Sequence, residues 1–394
     1  MTFEEKVHLH IPGPSPIPPQ VQRAMSRTMI GHRSGDFAKL VTKLGEEAKR
    51  LFQTSGDVLT LTGSGTAGME ACVAGVVAPG DEVLVLVSGV FGERWAKIAQ
   101  AYGARVTRLD ARWGTPVDPH QVAVKLAENP GLKAVFATQN ETSTTVMNDI
   151  GAIGAFVART PAVFVVDCVS SLGGVEFKMD EWQVDLAVAG SQKCLMLPPG
   201  LALVAVSPKA WSVIEATKAS RFYLDLVAYR ESLRKGSTPY TPAVSLYFGL
   251  EAALELIFAE GLEESFRRHA LMQRLTRRAV RALGLKLIAD DACASPTVTG
   301  VWGPEGVEPD ALRAVMKKRH GVVVAGGQGQ LTGRIFRIGH MGYTAPHDLF
   351  GVLAALELGL VELGYPVAPG SGVAAAEQEL CESYGLTVGR ESRS

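Results

Sequence analysis

Cysteine is scarce in this chain. Its 394 residues hold five, Cys72, Cys168, Cys194, Cys293 and Cys381, an odd number without the paired spacing of a metal knuckle or a disulfide framework. Scattered thiols of this kind fit a reducing compartment. An excess of either charge is also missing. The sequence sets 39 Lys and Arg against 40 Asp and Glu, which leaves no electrostatic case for nucleic acid or an anionic membrane as partner. No apolar run reaches the length of a transmembrane helix. The opening "MTFEEKVHLHIPGPSPIPP" has acids and prolines where a signal peptide needs an apolar stretch. The expectation is a cytoplasmic protein. Metal ligands are no better supplied: His340 with His347, or His8 with His10, lack a third partner at sensible spacing, so no metal is expected.

The chain is 47% hydrophobic and 20% charged, a globular composition long enough for two domains. Residues 1–20 are proline-rich and read as an extended arm rather than a helix or strand. Residues 21–260 read as a large α/β domain. A helix from about Phe37 to Gln53 leads into strands "DVLTLT", "DEVLVLV", "RVTRLD", "LKAVFATQ", "AVFVVDCV", "DLAVAGSQ" and "LALVAVS", with helices "AGMEACVAGVV" and "GERWAKIAQAYG" among them. Several strands are near-continuous apolar runs, the pattern of a mostly parallel sheet covered on both faces. Residues 261–365 read as a smaller α+β domain with strands "VTGVWGP", "VVVAGG" and "RIFRIGHMG". Residues 366–394 suggest a weakly ordered tail with room for one helix. The arginines 267, 268, 274, 277, 278 and 281 are expected on a solvated helix face rather than on an RNA.

Three stretches carry chemistry. In "LAVAGSQKCLMLPPGLALVAVS", Lys193 is the only formally charged side chain between Leu186 and Ser207. A lysine stripped of water there is pushed toward neutrality and becomes nucleophilic, although alone it is equally a snorkelling side chain at a strand end. "TGSGTAG" satisfies G-x-G-x-x-G through Gly63, Gly65 and Gly68 and follows a strand. The acidic residue that would hold a ribose is missing, since Asp81 and Glu82 lie at the beginning of the next strand and not at its end. What survives is a helix start with Ser64 and Thr66 hydroxyls, suited to a phosphate. Finally, Asp167 ends the run "AVFVVD" at the carboxyl edge of a central strand, where open α/β sheets bind ligands. A phosphate seat, a buried carboxylate and a nucleophilic lysine, in this order, are the three handles a protein needs on pyridoxal phosphate. The lysine forms the Schiff base, the carboxylate keeps the ring nitrogen protonated, and the helix start holds the phosphate.

With these stretches in view, the sequence resembles the class V, fold-type-I aminotransferases. Its nearest likeness is to the alanine–glyoxylate/serine–pyruvate branch, which includes the so-called soluble hydrogenase small subunits. The likeness runs through "PGPSPIPPQVQRAM", "MIGHRSGDF", "GSGTAGMEA", "GVFGERW", "NETSTT", "DCVSSLGG", "GSQKCLMLPPG" and "FRIGHMGY". It implies that Lys193 is the Schiff-base lysine and Asp167 the ring-nitrogen partner. By the same likeness Gln192 lies near the phosphate, Thr142 near the ring hydroxyl, and Ser64, Gly65 and Thr66 hold the phosphate. Phe91 takes the stacking position where relatives commonly have Trp, keeping the π-face and losing the indole donor. Thr66 replaces a His found in some members. Thr241 matches a threonine that reaches the partner subunit's phosphate, and Tyr240 stands in for a tyrosine that relatives place where Thr238 is. Arg337 matches the arginine that grips the substrate carboxylate, while Arg334 points to the opposite face. The resemblance also implies a homodimer with shared sites, in which Thr241, His32 and Arg33 come from the neighbouring subunit.

The activity so implied is transfer of the amino group of alanine or serine to glyoxylate or pyruvate. Aspartate or phosphoserine as donor stays open, with Arg33 the candidate for a second carboxylate clamp. A lyase of the desulfurase or kynureninase type is the rival enzyme. Such relatives usually place a His before the lysine, where Gln192 stands here, and Cys168 and Cys194 suit packing better than sulfur transfer. A role as a non-enzymatic subunit of a complex would need no intact site.

Overall fold

A computed structural model describes residues 7–386. In chain order its strands are β1 (His8–His10), β2 (Asp57–Thr62), β3 (Glu82–Val87), β4 (Arg105–Asp110) and β5 (Ala134–Thr138). After a short ribbon, β6 (Asn140–Glu141) and β7 (Val146–Met147), come β8 (Val163–Asp167), β9 (Leu186–Gly190) and β10 (Leu201–Val206). The last three are β11 (Val298–Trp302), β12 (Val322–Gly326) and β13 (Ile335–Gly339).

Seven strands form the main sheet in the order β2-β10-β9-β8-β5-β3-β4. Every pairing is parallel except the two made by β10. The reason is visible in the sequence: β5, β8, β9 and β10 are buried along their whole length, and helices cover both faces. Leu84, Val135, Phe164, Val166 and Leu203 pack into the core on one face, and Val85, Phe136, Val165, Val188 and Val204 into the core on the other. Each such fully buried side chain contributes about 1.5–3 kcal/mol. Because six of the seven strands run the same way, the ends of β2, β3, β5, β8 and β9 share one edge.

A four-stranded sheet, β1-β12-β13-β11, lies over a third core that includes Met272, Leu312, Phe336 and Leu353. Two expectations change here. The arm is not wholly extended: His8–His10 pairs in parallel with Val322–Val324, and a helix begins at Pro19. The strand exists because β12 offers it an edge, not because of local propensity. The tail is likewise a packed helix, Ser371–Ser383, whose Ala376 belongs to the third core. Glu357 anchors its start by accepting the N–H groups of Gly370, Gly372 and Val373.

The helix Leu262–Ala282 carries the six arginines, and they are ion-paired rather than merely solvated. Arg267 meets Glu264, Arg268 meets Glu260, Arg274 meets Glu379, Arg278 meets Glu379 and Glu382, and Arg277 and Arg281 share Asp291. No helix among the described residues is long and apolar enough to cross a membrane.

Candidate active site

The shared strand edge assembles most of the residues singled out from sequence. After β2, Ser64 adopts an extended conformation and opens the helix Gly65–Val76 without spending its hydroxyl on a cap bond. Among the described residues, the N–H groups of Gly65 and Thr66 make no hydrogen bond, as expected for the first turn of a helix. This helix start lies against the end of β9, where a Cβ on Gly190 would stand 3.6 Å from the Gly65 Cα. A Cβ on Gly65 would stand 2.9 Å from Val169, and one on Gly190 would stand 3.1 Å from the Gln192 amide oxygen. That oxygen is buried and has no hydrogen-bond partner.

Asp167 ends β8 and is 3% exposed. Its carboxylate accepts the Val169 N–H at 2.8 Å. Burial pushes its pKa up to about 7, helped by the nearby Glu141 and opposed by the Val169 N–H, Arg94 and Lys193. Lys193 follows β9 in the turn that leads to β10. Burial lowers its pKa to about 8, with Arg337 and Arg94 adding to the effect and Asp167 opposing it. Burial thus disfavours the charged form of both groups.

The N-terminal arm closes over this lysine. Lys193 Nζ donates to the Pro12 carbonyl. Gly13, at φ +106°, approaches so closely that a Cβ there would lie 2.7 Å from Nζ. Ser15 holds the loop itself, accepting nothing but donating its N–H to the Gln192 carbonyl at 3.0 Å and its hydroxyl to the Lys193 carbonyl at 2.7 Å.

After β3, Phe91 sits in the first turn of the helix Val90–Ala101. Its N–H and that of Gly92 donate to the buried Glu141 carboxylate at 3.0 and 3.1 Å. Ser143 donates to the same carboxylate through both its N–H and its hydroxyl. Burial raises the Glu141 pKa and these donors oppose the rise. A carboxylate at a helix start is favourably placed, and here it fixes the backbone that carries the ring. Arg94, one turn on, donates to the Thr66 hydroxyl at 2.9 Å and lies 4.6 Å over the Phe91 ring. The motif reading passed over Glu141 and Arg94. Both lay inside quoted stretches, "NETSTT" and "GVFGERW", and the burial of a charge beside site residues was the signal.

Arg337 comes from the other sheet, on β13. It is 5% exposed, and it donates through Nε to the Gly326 carbonyl at 2.9 Å and through Nη1 to the Thr142 carbonyl at 2.8 Å. Those two bonds aim the guanidinium across the junction between the sheets. Burial lowers its pKa to about 10. Arg334 lies outside β13, with its guanidinium 5.3 Å over the Trp302 ring.

The remaining four residues form a second group. His32 Nε2 lies 3.5 Å from the Thr241 hydroxyl. Arg33 donates to the Ser237 hydroxyl and to the carbonyls of Thr238 and Pro239. Tyr240 stacks on Tyr223 with ring centroids 5.0 Å apart. Among the described residues no hydrogen bond or ion pair links this group to Lys193, Asp167 or Arg337 of the same chain. It borders the end of β2, where Thr62 accepts from the Ala243 N–H and from the Tyr223 hydroxyl.

Known proteins match this architecture along its length. Residues 7–338 match the family model described as "Aminotransferase class-V". The chain is 46% identical to the "Soluble hydrogenase, small subunit" of Synechococcus sp. over 96% of its length and 99% of the relative's. It is 40% identical to the serine–glyoxylate aminotransferase of Methylorubrum extorquens, covering 95% and 96% of the two chains. The crystal structure of pyridoxamine–pyruvate aminotransferase from Mesorhizobium loti superposes with a TM-score of 0.93 at 34% identity, over 97% of this chain and 99% of that one. The architecture is thus that of the fold-type-I enzymes, whose cofactor is pyridoxal phosphate, and the protein is a transaminase acting on an amino acid and a 2-oxo acid. A sequence match across the whole of both sheets, on a fold that gathers these residues at one strand edge, makes the chain a member of the class-V aminotransferase family.

Proposed function

We propose that this transaminase takes its amino group from a small monocarboxylate donor, alanine or serine, and passes it to glyoxylate or pyruvate. The observation that carries the reading is the state of Arg33. Arg337 accounts for one carboxylate, and a donor with two would need a second cation, since a desolvated and unpaired carboxylate costs several kcal/mol or so. Arg33 was the candidate, and its guanidinium is spent on Ser237 and on the carbonyls of Thr238 and Pro239.

The residues fit the cofactor. The uncapped start of the helix Gly65–Val76, with the Gly65 and Thr66 N–H groups free, leaves hydrogen-bond donors for a phosphate. When bound, pyridoxal phosphate supplies an electron-accepting ring and carries the amino group between the two half-reactions. Asp167 is assigned to the ring nitrogen, where a carboxylate holds a proton. Phe91 offers its face to the ring and Thr142 its side chain to the ring hydroxyl. Arg337 orients the substrate through a two-pronged contact to its carboxylate. Lys193 would be the residue that holds the cofactor, and its freed amine would take up the proton lost from the substrate Cα. A lysine pKa of about 8 leaves part of the amine neutral and fit for this work. Pro12 and Gly13 limit access of water to it.

A homodimer supports the same reading. His32, Tyr240 and Thr241 then serve the neighbour's site, Arg33 pins the Ser237–Pro239 segment that leads to them, and the exposed Phe222 and Tyr223 beside Tyr240 supply apolar surface for contact. Desulfurase chemistry is disfavoured by Cys168 and Cys194, both buried, with burial pushing the Cys194 thiol up to about 12 and Cys168 well above its usual value.

The test is a donor panel in single half-reactions, read as loss of the absorption band of the lysine-bound cofactor. Alanine or serine should react much faster than aspartate or phosphoserine, in wild type and in Arg33→Ala alike. A fast reaction with aspartate that Arg33→Ala abolishes makes Arg33 the second clamp and overturns the assignment.

A further inference from the structure

Arg94 is a cation without an anion. Its guanidinium is half-buried, and among the described residues it enters no ion pair. Its one side-chain hydrogen bond runs from Nη1 to the Thr66 hydroxyl at 2.9 Å. A guanidinium has five N–H donors, so most of its capacity is unspent. Partly buried arginines are ordinarily matched by a carboxylate or by several carbonyls. This chain does so for Arg230, Arg268, Arg277 and Arg337, and Arg94 stands apart from them.

Its position says what the missing partner is. Thr66 is the second residue of the helix Gly65–Val76, in which the Gly65 and Thr66 N–H groups are free and the N-terminal Ser64 hydroxyl makes no cap bond. The partial positive charge of a helix start and a full positive charge are thus directed at the same small volume. The Phe91 ring lies beneath the same guanidinium, with the arginine carbon 4.6 Å from its centroid. Both side chains come from one helix, Val90–Ala101, whose N-terminus Glu141 holds in place.

We infer that Arg94 is a ligand of the cofactor phosphate, supplying the full cationic charge at a seat where the sequence offers Thr66. A phosphate monoester carries close to two negative charges at neutral pH, and a planar guanidinium meets such an oxyanion with two parallel bonds. Thr66 orients the arginine through its hydroxyl oxygen and leaves that hydroxyl's own proton for the phosphate. The inference rests on the assignment of the Ser64–Thr66 helix start as the phosphate seat.

Equilibrium binding of two probes to the cofactor-free protein tests it. Pyridoxal phosphate and pyridoxal share the ring and the aldehyde and differ only in the phosphate, so the ratio of their dissociation constants reports the seat alone. In wild type that ratio should strongly favour pyridoxal phosphate. Arg94→Gln should shrink it by about ten- to a hundredfold, the loss of one charge-assisted hydrogen bond, and leave pyridoxal affinity unchanged. Arg94→Lys, which keeps the charge and loses the fork, should fall between the two and serves alone if the Gln variant does not fold. A ratio that both variants retain overturns the inference while the helix start stays the seat. An equal loss for both probes also overturns it and makes Arg94 a support for the Phe91 ring. A wild-type protein that does not distinguish the probes removes the seat itself.

Discussion

Ser15 and Lys193 are separated by 178 residues and joined by one hydrogen bond, from the Ser15 hydroxyl to the Lys193 carbonyl at 2.7 Å. The bond ties an arm whose strand lies in the small sheet to a loop of the large one. The Lys193 backbone is therefore held by tertiary contact and not by its own turn alone. Ser15→Ala should cost about 1 kcal/mol of stability, measured by urea unfolding of the cofactor-free protein. It should also slow the half-reaction with alanine, because the amine is less firmly placed. Unchanged values of both would mean that Pro12 and Gly13 alone set the loop.

Removing the amine is the most severe change. Lys193→Ala should abolish the absorption band of the lysine-bound cofactor and lower the half-reaction rate by about a hundredfold to ten-thousandfold. The band and the rate are separable observations. A variant that lost the band and kept the rate would assign the proton transfer to another group.

Asp167 predicts a pH dependence in the cofactor-free protein. Its folded pKa, about 7, lies above its ordinary 3.8, so between these values the folded state binds the extra proton. Stability from this group is therefore fully present below about pH 3.8 and is lost as pH rises toward 7. Lys193 acts in the next window: folded near 8 against an ordinary 10.5, it leaves the unfolded state holding more protons there, so stability rises with pH across that span. Buried His269 and His340, both lowered to about 3, raise stability with pH over the same span. The Asp167 contribution is therefore read as a difference between denaturation curves: the slope of stability from pH 4 to 7 should be steeper upward in Asp167→Asn than in wild type. A variant with the same slope as wild type would place the titration elsewhere.

Arg337→Lys keeps the charge and loses the fork. It should raise KM for the amino donor by about tenfold to a hundredfold while cofactor affinity holds. Arg334→Ala, outside β13 and turned to Trp302, should change neither. An equal effect of the two substitutions, seen in steady-state kinetics, would show that Arg337 acts through the fold of this region and not on the donor.

Much of the large sheet was legible because its residues are locally consistent. Val163 to Val166 can only be a covered strand, and Asp167 then falls at its end. Lys193 stood out for being alone among apolar residues. What escaped was made by distant partners. The strand His8–His10 pairs with a segment 314 residues away in register, His8 with Val322, and no local pattern announces that. The tail helix owes its start to Glu357 and its face to Arg274 and Arg278. Arg94 and Thr66 lie 28 residues apart and on different helices, so their meeting depends on how β2 and β3 are spaced in the sheet.

The two sheets divide the labour of the site. Ser64, Phe91, Asp167 and Lys193 follow or end strands of the seven-stranded sheet, Thr142 follows the ribbon strand β6, and Arg337 comes from the four-stranded sheet. On the proposed reading, cofactor chemistry and donor recognition fall on separate sheets that meet at the Arg337–Thr142 bond. On that reading, changes in the loops around β12 and β13 should shift the choice of amino donor and leave cofactor binding intact.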